Sequence, residues 1–314
     1  MRINVFLFVL VGLTWMQSCS RDKVVDRIYQ TKNVVVVVID GPRYTETWGQ
    51  TGRPNVPYLN SILAPVGCTH AYFYNMGGTY TTSGHTALTT GTYQNINNTG
   101  AELPQNPGIL QHYLKKHPGD KSLVWLITSK DKLEVLADCK DPKWKNKYLA
   151  STDCGVSGNG TGYRHDSITF RRVRYALEER KAKVVFVNFR EPDYSGHKGD
   201  WMGYLRGIQQ TDSMVHEIWK YIENDPFYKG KTSMFVTNDH GRHSNGVSNG
   251  FISHGCDCEG CRRIHLWSFG PDFKSGVVLN ETADLLDVNA TIGELLQLHS
   301  LNSNGRVLTE LFKK

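Results

Sequence analysis

The chain has 314 residues, of which 39% are hydrophobic and 21% charged, with 30 glycines and a formal net charge of +6. That length and apolar fraction allow a large buried core in one domain or two closely joined ones, and the glycine content is too low for a fibrous protein. The basic clusters at 171–174 and 178–183 carry no aromatic interleaving or binding motif, so they read as solvated helix faces, and nucleic acid is not an expected partner.

In chain order, Arg2, the apolar run "VFLFVLVGL" and "MQSC" come first, and they resemble a bacterial lipoprotein signal peptide over residues 1–19. The resemblance implies Cys19 as the lipidated first residue of the mature chain. It also implies a membrane anchor and a place in the cell envelope, facing the periplasm, with ordinary secretion as the rival. Residues 20–32 read as a tether and 33–314 as a single catalytic domain. "NVVVVVID" (33–40) is an unbroken β-branched run ending in Asp40, which predicts a strand covered on both faces. Weaker runs at 122–128, 182–189, 232–239 and 263–269 alternate with helical patterns at 107–117, 166–180, 203–225 and 283–299. The alternation predicts an α/β fold, a central mainly parallel sheet with helices on both faces. Residues 140–164 read as an irregular insertion.

Six cysteines follow Cys19, namely Cys68, Cys139, Cys154, Cys256, Cys258 and Cys261. An even number in an oxidising compartment predicts disulfides, with Cys139 and Cys154 able to close one loop and "CDCEGC" able to hold a local bridge. Zinc in "CDCEGC" is the rival, but it needs a fourth ligand, and His254 is better used elsewhere.

Ligands collect at the carboxyl ends of strands in such sheets. Asp40 closes the first strand, Asp239 and His240 close the fourth, and "EPDYSGH" follows the third. Asp193 and His197 stand four apart, a spacing that presents both to one ion, and His254 in "FISHG" can supply a third ligand. These residues predict a carboxylate-imidazole metal centre with room for more than one ion.

The order Asp40-Gly41, "TYTTSGHTALTTG", "EPDYSGH", "TNDHG", "SHG" resembles the alkaline phosphatase superfamily. The likeness spans about residues 33–300, including "DVNATIGELLQL", and is greatest to the nucleotide pyrophosphatase/phosphodiesterase branch and to threonine-nucleophile phosphatases. It implies an alkaline-phosphatase-like fold and Thr81, four residues before His85, as nucleophile, with Thr82 as the alternative. It implies two Zn2+, one on Asp40, Asp239, His240 and Thr81, the other on Asp193, His197 and His254. A metal is needed because a free threonine hydroxyl is a poor nucleophile. The substrate implied is a phosphorylated small molecule or nucleotide, cleaved through a phosphothreonine. Lys130 and Lys132 in "SKDKLEVL" correspond to a cationic pair that holds a phosphate monoester in the phosphatases, with lysine where the second position carries arginine. Asn98, like Thr82, is a candidate phosphate-binding residue. The monoesterase is the first expectation, a phosphodiesterase or nucleotide pyrophosphatase the alternative, and a phosphonate hydrolase or a non-catalytic binding module further ones. Walls for a nucleotide are offered by 71–76, 41–49 and 201–204. No C/S-x-P-x-R context is present, which disfavours a sulfatase. The remaining histidines, His243 among them, read as surface or packing residues, and no protein partner is inferred.

Overall fold

The computed structural model describes residues 28–298 and 301–314; the expected signal segment and Cys19 lie outside the described residues. In chain order the elements are β1 (Asn33–Asp40), β2 (Cys68–Tyr74), α1 (Thr81–Thr90), α2 (Ile109–Lys116), β3 (Val124–Thr128), β4 (Ser151–Cys154), α3 (Asp166–Glu178), β5 (Val184–Pro192), α4 (Asp193–His197), α5 (Trp201–Asn224), β6 (Thr232–Thr237), α6 (Glu259–Arg262), β7 (Arg263–Phe269), β8 (Val277–Leu279), β9 (Ala283–Asp284) and α7 (Leu285–Leu295). The sheet runs β4, β3, β5, β1, β6, β7, β2, β8, with β9 also on β2. Only β7 is antiparallel, to β6 and β2, so the sheet is mainly parallel.

The valine run of β1 shows why the strand is central. Val34, Val36 and Val38 enter one core with Ala87 and Leu88 of α1, Ile109 and Leu110 of α2, and Val288 and Ile292 of α7. Val35, Val37 and Ile39 enter the opposite core with Val173 of α3 and Ile208, Val215 and Ile218 of α5. Side chains alternate across a strand, so a strand between two helical layers must be apolar at every position. Parallel pairing then fixes the site. Val38 lies opposite both Asn188 and Thr237, so β1, β5 and β6 end together, with Asp40, Asp193 and Asp239 just beyond them.

Two expectations change. Of the expected wall at 71–76, residues 71–74 belong to β2 with Phe73 in the core, so within it only Tyr72 and Met76 are well exposed. The expected disulfides are absent: all six cysteines in the described residues are free. Cys154 packs in the core with its thiol toward the Leu126 carbonyl (3.7 Å), and burial pushes it up to about 12. Cys68 likewise faces the Lys274 carbonyl at 3.2 Å. The sulfurs of Cys256 and Cys261 stand 3.6 Å apart, against about 2.05 Å for a bond. The core thiols behave as small apolar groups, while those of "CDCEGC" have a different arrangement described below. No helix among the described residues is long and apolar enough to cross a membrane.

One buried carboxylate ties the strand ends. Asp166, at the start of α3, accepts from the Ser129 hydroxyl and from the backbone N–H of Arg190 (2.8 Å) and Glu191 (3.0 Å), and burial raises its carboxyl to about 6. Asp166→Ala leaves these donors without an acceptor and should lower stability by about 2–4 kcal/mol. Urea unfolding measures this; an unchanged midpoint would show that β5 ends where it does without the tie.

Candidate metal centre

Beyond β1 and β6, Asp40, Asp239 and His240 are fully buried and bring ligand atoms within 4.8 Å of one another. His240 Nε2 lies 3.5 Å from Asp40 Oδ1, 3.4 Å from Asp239 Oδ2 and 3.5 Å from Thr81 Oγ1. Asp193, His197 and His254 form a second cluster of the same size, with Asp193 Oδ1 3.3 Å from His197 Nε2 and 3.6 Å from His254 Nε2. The two clusters adjoin, since the rings of His240 and His254 stack with centroids 3.8 Å apart.

Both clusters suit a divalent cation. His240 Nδ1 donates to the Gly241 carbonyl and His254 Nδ1 to the Thr79 carbonyl, each at 2.8 Å, so both Nε2 lone pairs face the carboxylates. Burial lowers His240 to about 4 and His254 to about 3, which keeps those lone pairs free at neutral pH. Asp239 Oδ2, buried, lies near His85 Nδ1 (3.2 Å) and His240 Nε2 but receives no aligned hydrogen bond. Such a site demands positive charge. Buried Lys130 supplies some, its Nζ 2.9 Å from Asp40, 2.7 Å from Asp193 and 3.1 Å from Thr81 Oγ1. Burial alone would lower Lys130, but Asp193, Asp40 and Asp239 outweigh it and hold the ammonium well above its ordinary value. Asp193 is likewise held far below the usual carboxylate range; burial opposes this, and Lys130 and Arg242 overcome it.

Thr81 opens α1, whose local sequence explains its placement. Tyr80 is extended, and Gly91 closes the helix in the left-handed conformation at φ 68°, donating to the Ala87 carbonyl. Asn289 of α7 donates to the carbonyls of Leu88 and Thr89, so the closing helix holds the far end of α1. Thr89 and Thr90 return their hydroxyls to carbonyls one turn back. His85 faces inward: Nδ1 donates to the Thr81 carbonyl (2.8 Å), and Nε2 accepts from Asn188, whose amide also donates to Asp40 Oδ2 (3.0 Å). Asn98 Oδ1 accepts from Thr82 N (2.9 Å), Thr82 Oγ1 (3.0 Å) and Lys132 Nζ (3.0 Å), joining three of the four expected substrate-binding residues, while Lys130 stands at the carboxylates.

The sequence did not single out Arg242, Asn188 or Asn75. Arg242, fully buried, bonds Asp193 Oδ1 and the Ile252 carbonyl, and Asn75 donates to the Asp239 carbonyl at 2.7 Å. Their signal is weak because none has a motif spacing of its own; only "DHGR", two residues past His240, places Arg242 near the ligands. Among the expected walls, Trp48 packs edge-on against Trp267 in the core and Tyr204 is buried, while Trp201 is exposed and stacked on Tyr204. A cleft of about 440 Å³ beside Asn98 is walled by Tyr80, Tyr93 and Ile96, and Tyr163, from the 140–164 segment, stands 5.7 Å from Lys130.

A family model described as the metalloenzyme superfamily matches residues 20–300. A phosphopentomutase from Pseudothermotoga lettingae is 24% identical over 134 residues, which is 42% of this chain and only 31% of that protein's length. Among solved structures, murine ectonucleotide pyrophosphatase/phosphodiesterase 5 superposes with a TM-score of 0.64 at 14% identity, covering 90% of this chain and 100% of that one. Its inactive threonine-to-alanine variant, in complex with AMP, gives 0.65 at 14% over 90% and 100%. A phosphonate monoester hydrolase from Silicibacter pomeroyi gives 0.63 at 13%, covering 88% and 76%.

Helix α1 approaches the candidate metal ligands through one glycine. A Cβ on Gly84 would lie 2.4 Å from the Asp239 carbonyl oxygen, in backbone that cannot yield without moving the ligand. Gly84→Ala should therefore separate Thr81 from Asp239, weakening the binding of any divalent cation there at least about tenfold and lowering stability by about 1–3 kcal/mol. Zinc titration and thermal unfolding report both; wild-type affinity in the variant would show that α1 is not in register with the ligands.

Proposed function

The chain belongs to the metalloenzyme superfamily, with the alkaline-phosphatase fold, and from that premise we propose that it cleaves phosphodiesters or nucleotide pyrophosphate bonds, with Thr81 as nucleophile and two zinc ions. Its broader class, a metal-dependent phosphoric-ester hydrolase, rests on that membership and on the two ligand clusters. The observation that carries the reading is Thr81 Oγ1, at the first turn of a ten-residue helix, 3.5 Å from His240 and bonded to the lysine that bridges both clusters. Asp40, Asp239 and His240 would hold one ion and Asp193, His197 and His254 the other. Zinc there supplies Lewis-acid charge for the attacking and leaving oxygens.

The chain's own groups then divide the work. Lys130 donates to Thr81 Oγ1 and favours its alkoxide. Thr81 would attack phosphorus in line, its Oγ–P bond forming as the bond to the leaving alkoxide or phosphate oxygen breaks. Water would then displace Thr81, releasing the remaining phosphate ester and restoring the hydroxyl. A helix N-terminus such as the start of α1 is suited to phosphate oxygens, and Asn98 sets its first turn by accepting from Thr82 N and Oγ1. The cleft walled by Tyr80 and Tyr93 suits an organic group on the phosphate. The diester reading is supported by the fold shared with a nucleotide phosphodiesterase whose threonine variant is inactive and was solved with AMP, and with a phosphonate monoester hydrolase. The second reading, a monoesterase, is favoured by Lys132, whose ammonium beside Asn98 adds charge suited to a dianion. Over residues 1–19 we also propose export, with Cys19 as the lipid attachment point.

Initial rates on bis-p-nitrophenyl phosphate and p-nitrophenyl phosphate decide between these readings. The diester should be cut faster; a faster monoester rate replaces the first reading with the second. Thr81→Ala should lose at least about a thousandfold and Thr82→Ala only about tenfold, and the reverse order would move the nucleophile to Thr82.

Lys132 adds a pH signature. Burial first, and then Lys130, pull it down to about 8, so its ammonium is charged below that pH and neutral above it. Any monoester kcat/KM should fall as pH rises through about 8, and Lys132→Arg, which stays charged, should remove that limb. A limb that persists in Lys132→Arg assigns it to another group.

A further inference from the structure

The cysteines of "CDCEGC" do not pair with one another. Cys256, Cys258, Cys261 and His243 bring three sulfurs and an imidazole nitrogen within 4.8 Å of one another. His243 Nδ1 lies 2.9 Å from Cys256 Sγ and 3.4 Å from Cys261 Sγ, and those two sulfurs are 3.6 Å apart. A tetrahedral ion with sulfur at about 2.3 Å and nitrogen at about 2.0 Å sets sulfur-to-sulfur edges near 3.8 Å and sulfur-to-nitrogen edges near 3.5 Å. The cluster therefore has nearly the size of such a site while lacking the contact of a disulfide. Backbone N–H groups point at the sulfurs, Cys258 N at Cys256 Sγ (3.3 Å) and Ser244 N at Cys258 Sγ (3.5 Å), a direction that stabilises thiolates. Cys261 and His243 are buried and the other two half-buried, so the four donors point inward from a loop and the start of α6.

We propose that His243, Cys256, Cys258 and Cys261 hold a structural zinc ion, separate from the carboxylate-imidazole clusters. Three thiols and a histidine complete a four-coordinate shell with no place for substrate, the arrangement of a structural and not a catalytic site. Binding releases the three thiol protons to solvent as the sulfurs become thiolates. The fourth ligand, absent from the "CDCEGC" stretch itself, comes from thirteen residues earlier, where the chain turns away from Asp239 and His240. The site would thus clamp the 241–261 loop to itself. That loop carries His254, and its Cys256 carbonyl accepts the Thr79 hydroxyl at 3.0 Å, two residues before Thr81. Gly255, at φ +110°, lies so close to the Tyr80 ring that a Cβ there would be 2.6 Å from it. The ion would act as a positioning device for a metal ligand and for the entry to α1.

The test uses the full chain, purified under reducing conditions and loaded with zinc or cobalt. Metal analysis should give one equivalent beyond those held by the carboxylate-imidazole clusters. The cobalt form should show a near-ultraviolet sulfur-to-cobalt charge-transfer band, which oxygen and nitrogen ligands cannot produce. Cys258→Ser and His243→Ala should each lose one equivalent and weaken that band, whereas His197→Ala should lose an equivalent without changing it. The wild-type spectrum decides the matter even if a variant fails to fold. A cobalt form with no sulfur band, thiols alkylated at one rate with and without zinc, or a Cys256–Cys261 disulfide found by mass would each overturn the proposal.

Discussion

Three buried carboxylates within one small volume would repel one another strongly, and the fold is arranged to answer that charge. Asp40, Asp193 and Asp239 reach the same end of the sheet because β1, β5 and β6 run parallel and stop in register. Lys130 binds Asp40 and Asp193, and Arg242 adds a second cation at Asp193. Both cations are themselves fully buried, a cost that the carboxylates offset. The carboxylates left with surplus negative charge are suited to bind divalent cations.

A ring of neutral groups keeps the charged ones from turning away. Asn188 fixes one oxygen of Asp40, Asn75 fixes the backbone of Asp239, and carbonyls at Gly241 and Thr79 fix the tautomers of His240 and His254. Close packing does the rest. Gly84 lets α1 press against Asp239, and Gly41, at φ +70°, sits where a Cβ would come within 2.9 Å of the Asp193 side chain. The glycines within and after the threonine-rich helix thus have separate reasons: Gly84 for approach, Gly91 for ending the helix.

Much of this was legible in the chain. The valine run of β1 could only be a strand between two apolar layers, because every position is apolar and β-branched, and the paired Asp and His residues stood at strand ends where parallel topology collects ligands. The motif order from Asp40 to His254 placed Thr81 among them. What was not legible depends on neighbours far apart in sequence. Residues 71–76 read as a ligand wall, but 71–74 belong to β2, which β7 and β8 flank, and Phe73 is drawn into the core. Lys132, Asn98 and Thr82 form one hydrogen-bonded group that no spacing shows, since they lie on three different elements.

The cysteines mark the boundary most sharply. Their even number argued for pairing, a property of composition and compartment alone. Pairing needs two sulfurs about 2 Å apart, and the fold instead buries Cys68, Cys139 and Cys154 and gathers Cys256, Cys258 and Cys261 around His243. Sequence by itself determined the α/β layering, the ends of the central strands and the residue types able to bind metal, because those follow from side-chain periodicity and donor chemistry within short segments. Tertiary structure decided which carboxylate each cation answers, which thiols meet and which aromatics line the cleft, because those depend on distances between segments that periodicity does not encode.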